Sequence, residues 1–214
     1  MEPGADGREP DWPVTADEAL YADVHRVVAA VAALGGAVGW LSEPPRAEVD
    51  SWLDGLLVQV RQGHARLLVV RRGGRVAAFG YWVRLAGVVF EHNAELRKVM
   101  THPGARRSGL ARRVVRTLVE DARRAAVEVL VLDVRGNNHA ALDLYASEGF
   151  TVYGRLPDFV AVGPERFDRV CLYRELDRPP GVRRHGGRVE GPGASAGPGR
   201  GAPPGTSGSA ARGA

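Results

Sequence analysis

The most constraining feature of the chain is the run VEVLVLDV at positions 127–134, in which six of eight residues are apolar and no glycine or proline intervenes. A segment so short and so apolar reads as a strand covered on both sides, which requires helices on the faces of its sheet. The neighbouring segments supply them. Before it, RRSGLARRVVRTLVEDARRA at 106–125 places Leu110, Val114, Leu118 and Ala122, with Ala111, Val115 and Val119, on one helical face, and most of its arginines on the other. After it, Asn138 is placed to cap HAALDLYASE, a short helix ended by Gly149.

The rest follows the same change of period. TADEALYADVHRVVAAVAAL opens with Thr15 as the expected N-cap and Glu18 at capping-box spacing. GGAVGWLSEPP interrupts, and RAEVDSWLDGLLVQVRQG resumes helical spacing through Val49, Leu53, Leu56 and Leu57. Two apolar runs around Gly73 and Gly74 read as a hairpin. NAELRKVM reads as a third strand, with Glu95, Arg97 and Val99 on one side and Leu96, Lys98 and Met100 on the other. FTVYGRL and RVCLYREL close the chain as two strands around the loop PDFVAVGPERFD. The order predicts an α/β (α+β) fold around one mixed sheet, within a domain spanning 14–177.

The chain has 214 residues and a net charge of +4, a sign that raises nucleic acid as a partner. Position weighs against it. From Arg178 onward there are six arginines against one acid, Glu190, so this part carries +5 and residues 1–177 carry −1. Residues 178–214 are dominated by glycine, proline, alanine and arginine and are expected to be a disordered tail, as residues 1–13 are a disordered leader. No window is apolar for long enough to span a membrane and no signal peptide is apparent, which predicts a cytoplasmic protein. One cysteine, Cys171, and six scattered histidines predict neither a disulfide nor a metal site.

Where the 106–125 segment begins, Arg106, Arg107 and Ser108 lead through Gly109 into a helix with small Ala111 in its first turn. A helix N-terminus offers unpaired N–H groups and a positive dipole end, and a glycine there lets an anion approach the backbone. The spacing Arg106, Gly109, Ala111 resembles the Q/R-x-x-G-x-G/A signature of the GNAT superfamily of N-acetyltransferases. A second segment, Asn138, Ala141, Leu144, Tyr145, Gly149 and Phe150, is similar to that superfamily's N-x-x-A-x-x-L-Y-x-x-x-G-F. The likeness covers 94–150 in its motifs and 15–177 in element order. Two departures stand out: Thr101 in place of a small aliphatic residue and Arg107 in place of a frequent glycine.

The resemblance implies a mostly antiparallel sheet of about six strands flanked by about four helices, with acetyl-CoA as cosubstrate and no metal. It further implies that the strands on either side of the signature splay to admit the pantetheine arm. The cofactor would then meet Val99, Met100, Thr101, Arg106, Arg107, Ser108, Gly109, Leu110, Ala111, Asn138 and Tyr145. Tyr145 would protonate the departing thiolate, and Glu95 would take the proton of the amine or else orient substrate or pair with an arginine, with Glu91 and His92 in reserve. For the acceptor, the first two helices and the last loop contribute Trp40, Ser42, Glu43, Asp158, Phe159, Glu165 and Asp168, a mixture suited to a cationic, partly apolar amine. The implied reaction is acetyl transfer to a small-molecule amine in a ternary complex. A protein or peptide amine is the alternative within the class; a non-catalytic CoA-binding or nucleic-acid-associated protein is the alternative outside it. A homodimer stays open.

Overall fold

In the computed structural model, residues 10–36, 39–40, 42–178 and 180–181 are described. They run β1 (Pro10–Asp11), α1 (Glu18–Ala32), α2 (Arg46–Arg61), β2 (Ala65–Arg72), β3 (Arg75–Arg84), β4 (Asn93–Thr101), a 3-10 turn (Pro103–Ala105), α3 (Leu110–Arg124), β5 (Val129–Arg135), α4 (His139–Ser147), β6 (Thr151–Val162) and β7 (Glu165–Glu175). The first of two units, Met1–Pro180, contains all of these elements; the second, Gly181–Ala214, lies outside the described residues except for Gly181. The expected tail therefore falls almost entirely outside what is described. No helix among the described residues is long and apolar enough to cross a membrane.

One sheet of seven strands, rather than about six, runs in the order β1-β2-β3-β4-β5-β7-β6. All neighbours are antiparallel except β4 and β5. The additional strand lies within the segment expected to be a leader: Pro10 and Asp11 pair with Val70 and Val69. Trp12 beside it packs against the core and stacks under the Arg66 guanidinium. Backbone pairing and one large aromatic thus order residues that composition alone assigns to a leader.

The helices divide between the two faces. α3 covers one, where Leu110, Val114, Val115, Leu118, Val119 and Ala122 pack with Trp82, Leu96 and Leu130. α1 and α2 cover the other, around Phe79, Tyr81 and Met100. That second cluster contains no residue of β5, so only Leu130, Leu132 and Val134 of β5 are buried while Val131 is half-buried and Asp133 is exposed. The run 127–134 is therefore covered on one face, not on both. Its remaining apolar residues lie beyond the reach of α1 and α2.

Local signals hold with two adjustments. The hairpin turns on Gly73 and Gly74, both at positive φ, as a tight turn between twisted strands requires. The N-cap of α1 is Asp17, whose carboxylate accepts from the N–H of Leu20 at 2.8 Å, in place of Thr15. PDFVAVGPERFD is no loop: β6 and β7 continue through it to a turn at 163–164, and a register shift between Leu156 and Val160 accommodates Pro157 and the positive φ of Asp158.

At the centre of the sheet Phe79 pairs with Met100 and Tyr81 with Arg97, so Gly80 alone faces both Lys98 and Val99. This β-bulge, with Lys98 at φ 47°, turns the side-chain alternation over by one residue. Val99 consequently packs on the α3 face and Met100 on the α1 and α2 face, which reverses the expected sides of both residues. Gly80 makes room for this: a Cβ there would lie 2.9 Å from Val114 Cγ1 and 3.1 Å from Val99 Cγ2. Gly80→Val is expected to overpack this contact and cost about 2 kcal/mol, seen in urea denaturation as a lower midpoint at unchanged slope.

Candidate active site

β4 leaves the sheet through His102 and the 3-10 turn, and residues 106–109 then carry the chain into α3. Ser108 Oγ donates to the carbonyl of Ala105 at 2.6 Å and Arg106 N–H to that of Pro103 at 3.2 Å, which closes the loop on itself. Arg107 at φ 60° and Gly109 at φ 78° both occupy the left-handed region. Glycine takes that conformation at no steric cost; arginine at 107 holds it under mild strain. No side chain caps α3, and a Cβ at Gly109 would meet nothing within 4 Å. The first amides of α3 thus face open space with the positive end of the helix dipole behind them.

The arginines of α3 have separate assignments. Arg112 and Arg116 reach Glu148 at 3.0 and 2.8 Å, and Arg112 also donates to Ser147 Oγ at 3.1 Å. Glu148 is buried, so these contacts tie the end of α4 to the start of α3. Arg106 and Arg107 remain exposed at the loop.

Asn93, Ala94 and Glu95 of β4 pair with Val129, Leu130 and Val131 of β5, and the pairing stops there. Beyond Glu95 the strands part around a cleft of about 360 Å³. It is lined by 95–99 of β4, 133–135 of β5, Asn138, Ala141 and Tyr145 from α4, and Gly39, Tyr81 and Val160. Asn138 also accepts from the N–H of Ala141 at 3.2 Å, and so caps α4 as expected.

Tyr145 is 8% exposed and lies edge-on to Phe150 at 5.6 Å. Burial, then the negative charge of Asp133, push its phenol well above the ordinary value of 10.0. Glu95 accepts from Arg97 Nη2, so the geometry realises the arginine pairing and the carboxylate stands beside a cation. The bond to Glu95, more than any other influence, holds Arg97 above the ordinary arginine value.

Lys98, which the sequence reading passes over, enters the cleft from the bulge. Its Nζ lies 3.9 Å from the Trp40 ring centre and 5.3 Å from that of Trp52. Burial, followed by the neighbouring charge of Arg97, brings its ammonium down to about 8. A lysine following an arginine in a strand ordinarily points away from it, so only the bulge puts both toward α2.

The cofactor residues proposed from sequence are thus in continuous order around the loop and the cleft: Val99, Asn138 and Tyr145 line the cleft, Arg106, Arg107, Ser108, Gly109, Leu110 and Ala111 form the loop and helix tip, and Thr101 lies between. Met100 is buried against the opposite face, so only its backbone is available there. The acceptor residues are less gathered. Trp40 is covered by Lys98 and donates to Glu48 at 2.6 Å, Glu43 is exposed, Asp158 N–H donates to Asp168 at 3.4 Å, and Phe159 lies under Arg169. None of these four lines the cleft; the neighbours Gly39 and Val160 do.

The site thus sits where a mostly antiparallel α/β sheet parts at its one parallel pair among the described strands, beside an uncapped helix tip. Residues 20–150 match the sequence model of the acetyltransferase (GNAT) family, and the chain belongs to that family. An L-methionine sulfoximine/L-methionine sulfone acetyltransferase of Salmonella typhimurium is 35% identical over 101 residues, 47% of this chain and 57% of the relative. An L-amino acid N-acyltransferase of Escherichia coli matches with the same identity and coverage. The chain thus spans less than two thirds of the length of these relatives. Among solved structures, a ribosomal-protein-alanine N-acetyltransferase from Brucella melitensis shares the fold with a TM-score of 0.69 at 23% identity, over 78% of this chain and 99% of that one. A phosphinothricin acetyltransferase from Sinorhizobium meliloti in complex with AcCoA does so at 0.67 and 16%, over 82% and 95%.

Lys98 titrates lower when folded than an ordinary lysine, so between pH 8 and the ordinary value of 10.5 the unfolded chain holds more protons than the folded one. Its contribution to stability therefore rises with pH across that window. Urea unfolding at pH 8 and pH 10 is expected to show a larger gain, or a smaller loss, for the parent than for Lys98→Met; equal changes would contradict the lowered value.

Proposed function

We propose that this protein is an N-acetyltransferase that moves an acetyl group from acetyl-CoA to the primary amine of a small molecule, by direct attack in a ternary complex. The observation that carries this reading is the parting of β4 from β5 after Glu95, beside a helix tip with open amides and no cap. The family membership and the AcCoA held by the fold neighbour support it.

Acetyl-CoA supplies the acetyl group as a thioester; the chain's own residues do the rest. The amides opening α3 take the pyrophosphate, with Arg106 and Arg107 adding positive charge outside them. The β5-facing edge of β4 beyond Glu95 has no strand partner, which leaves backbone N–H groups near Val99 and Thr101 to meet the pantetheine amides and the acetyl oxygen. Amine nitrogen bonds to the carbonyl carbon and the C–S bond breaks. The amine's proton passes to Glu95 through water, and Tyr145 gives its phenolic proton to the departing sulfur. A phenol raised above 10.0 holds that proton throughout the physiological range.

Gly109→Val places a β-branched residue at positive φ on the helix tip, and calorimetric titration is expected to show acetyl-CoA binding weakened by about tenfold or more. Unchanged affinity would move the phosphates elsewhere. Tyr145→Phe is expected to lower kcat by about a hundredfold with little change in acetyl-CoA affinity, as loss of a general acid requires. Parental turnover in this variant would remove the acid role.

A further inference from the structure

Tyr81 and Arg97, directly opposite each other in the β3 and β4 register, line two cavities. The second, of about 290 Å³, lies between α2 and β3 and is walled by Trp52, Leu56 and Val83, with Ser51 and Gln59 as its neutral polar groups. Arg97 is the one charged residue among the described residues lining it. It stands at the junction, held from the cleft side by Glu95 and 48% exposed, with further guanidinium donors to offer.

Gly55 of α2 also lines this cavity. Glycine is among the poorest residues for the middle of a sixteen-residue helix. Packing does not demand it, since a Cβ there would meet nothing within 4 Å. Its effect is to leave the cavity wall uncovered.

Charge narrows the occupant. The cleft is lined by Arg97, Lys98 and Arg135 against Glu95 and Asp133, and Asp133 is bound by Arg169 at 2.7 Å. Among the described residues, none that lines the α2 and β3 cavity carries a carboxylate. Both carboxylates of this path are already held by an arginine, Glu95 by Arg97 and Asp133 by Arg169, so a polycationic amine must compete for them, whereas a carboxylate beside the amine meets a guanidinium suited to receive it.

We infer that the cavity between α2 and β3 is the side-chain subsite of the acceptor. The acceptor is an amine carrying a carboxylate, whose anion Arg97 takes at the junction and whose uncharged side chain lies against Trp52, Leu56 and Val83. This rests on the acetyl-transfer reading and replaces the cationic acceptor suggested by the acidic loop residues in the sequence.

Thiol release at saturating acetyl-CoA is measured with amino acids from glycine to methionine and phenylalanine, and with the decarboxylated amine of each. The parent is expected to favour the acid over its amine by about tenfold or more in kcat/KM, and Arg97→Met to bring that ratio near unity. Gly55→Leu, a substitution that favours the helix, is expected to lower the ratio of large to small acceptors by about tenfold or more. Equal parental rates on acid and amine overturn the carboxylate assignment, and so does turnover confined to amines without one. A large-to-small ratio in Gly55→Leu within about twofold of the parent overturns the subsite. Calorimetry with acetyl-CoA separates the layers: binding with unchanged selectivity defeats this inference alone, while no binding, or no turnover of any amine, defeats the acetyl-transfer reading and this one with it.

Discussion

Gly80 faces two residues of β4, and the active-site architecture depends on that mismatch. An antiparallel strand holds its side chains in strict alternation, so without an inserted residue Val99 would stay on the face of Glu95 and Arg97. The bulge moves Val99 to the α3 face and sends Lys98 toward Trp40 and Trp52. It lies just beyond the last pair that β4 makes with β5. A strand that bends there takes its backbone away from its parallel neighbour, and the cleft opens in the gap. Gly80 permits the geometry because any Cβ would collide with Val114 on α3.

A strand pulled from its neighbour loses ladder hydrogen bonds, and neighbouring contacts offset the loss. Trp82 Nε1 donates to Asp121 at 2.9 Å and Arg66 reaches the same carboxylate at 3.3 Å, so polar contacts anchor α3 to β2 and β3. Glu148, buried and bound by Arg112 and Arg116, fixes α4 against α3. These pairs answer what the arginine-rich segment is for. Arg112 and Arg116 clamp the helix that carries Tyr145, while Arg106 and Arg107 stand exposed at the mouth.

Helices and the hairpin were legible from residue order because their signals are local: the period of α3, Gly73 and Gly74 at the turn, Asn138 at its cap. The segments 106–111 and 138–150 stood out by their resemblance to a family's motifs, and the fold brings Tyr145 of the second to the cleft. What was illegible depends on pairing across the sheet. No residue type announces a bulge at Lys98, whose positive φ is imposed by Gly80 and α3 and not by its own preference. Pro157, Gly163 and Pro164 made a strand hairpin read as a loop, since an edge strand with a register shift tolerates a proline that an inner strand excludes. Single coverage of β5 was equally hidden, because an apolar run does not say how far the helices on each face extend.

Two acidic groups of the cleft have different neighbours. Glu95 stands next to Arg97, while Tyr145 is buried against Phe150 with Asp133 as the charge acting on it. Burial and the charge of Asp133 favour the protonated phenol, the form from which Tyr145 can donate to a departing thiolate. On the proposed reading, Tyr145 is then protonated across the physiological range and cannot shape the pH profile there. A rise of rate with pH near neutrality then has sources other than this phenol, the acceptor amine first among them. Lys98, near 8, falls inside the same window and faces Trp40 and Trp52 from the cleft that Tyr145 also lines, so its titration is a further source of pH dependence that Lys98→Met would remove.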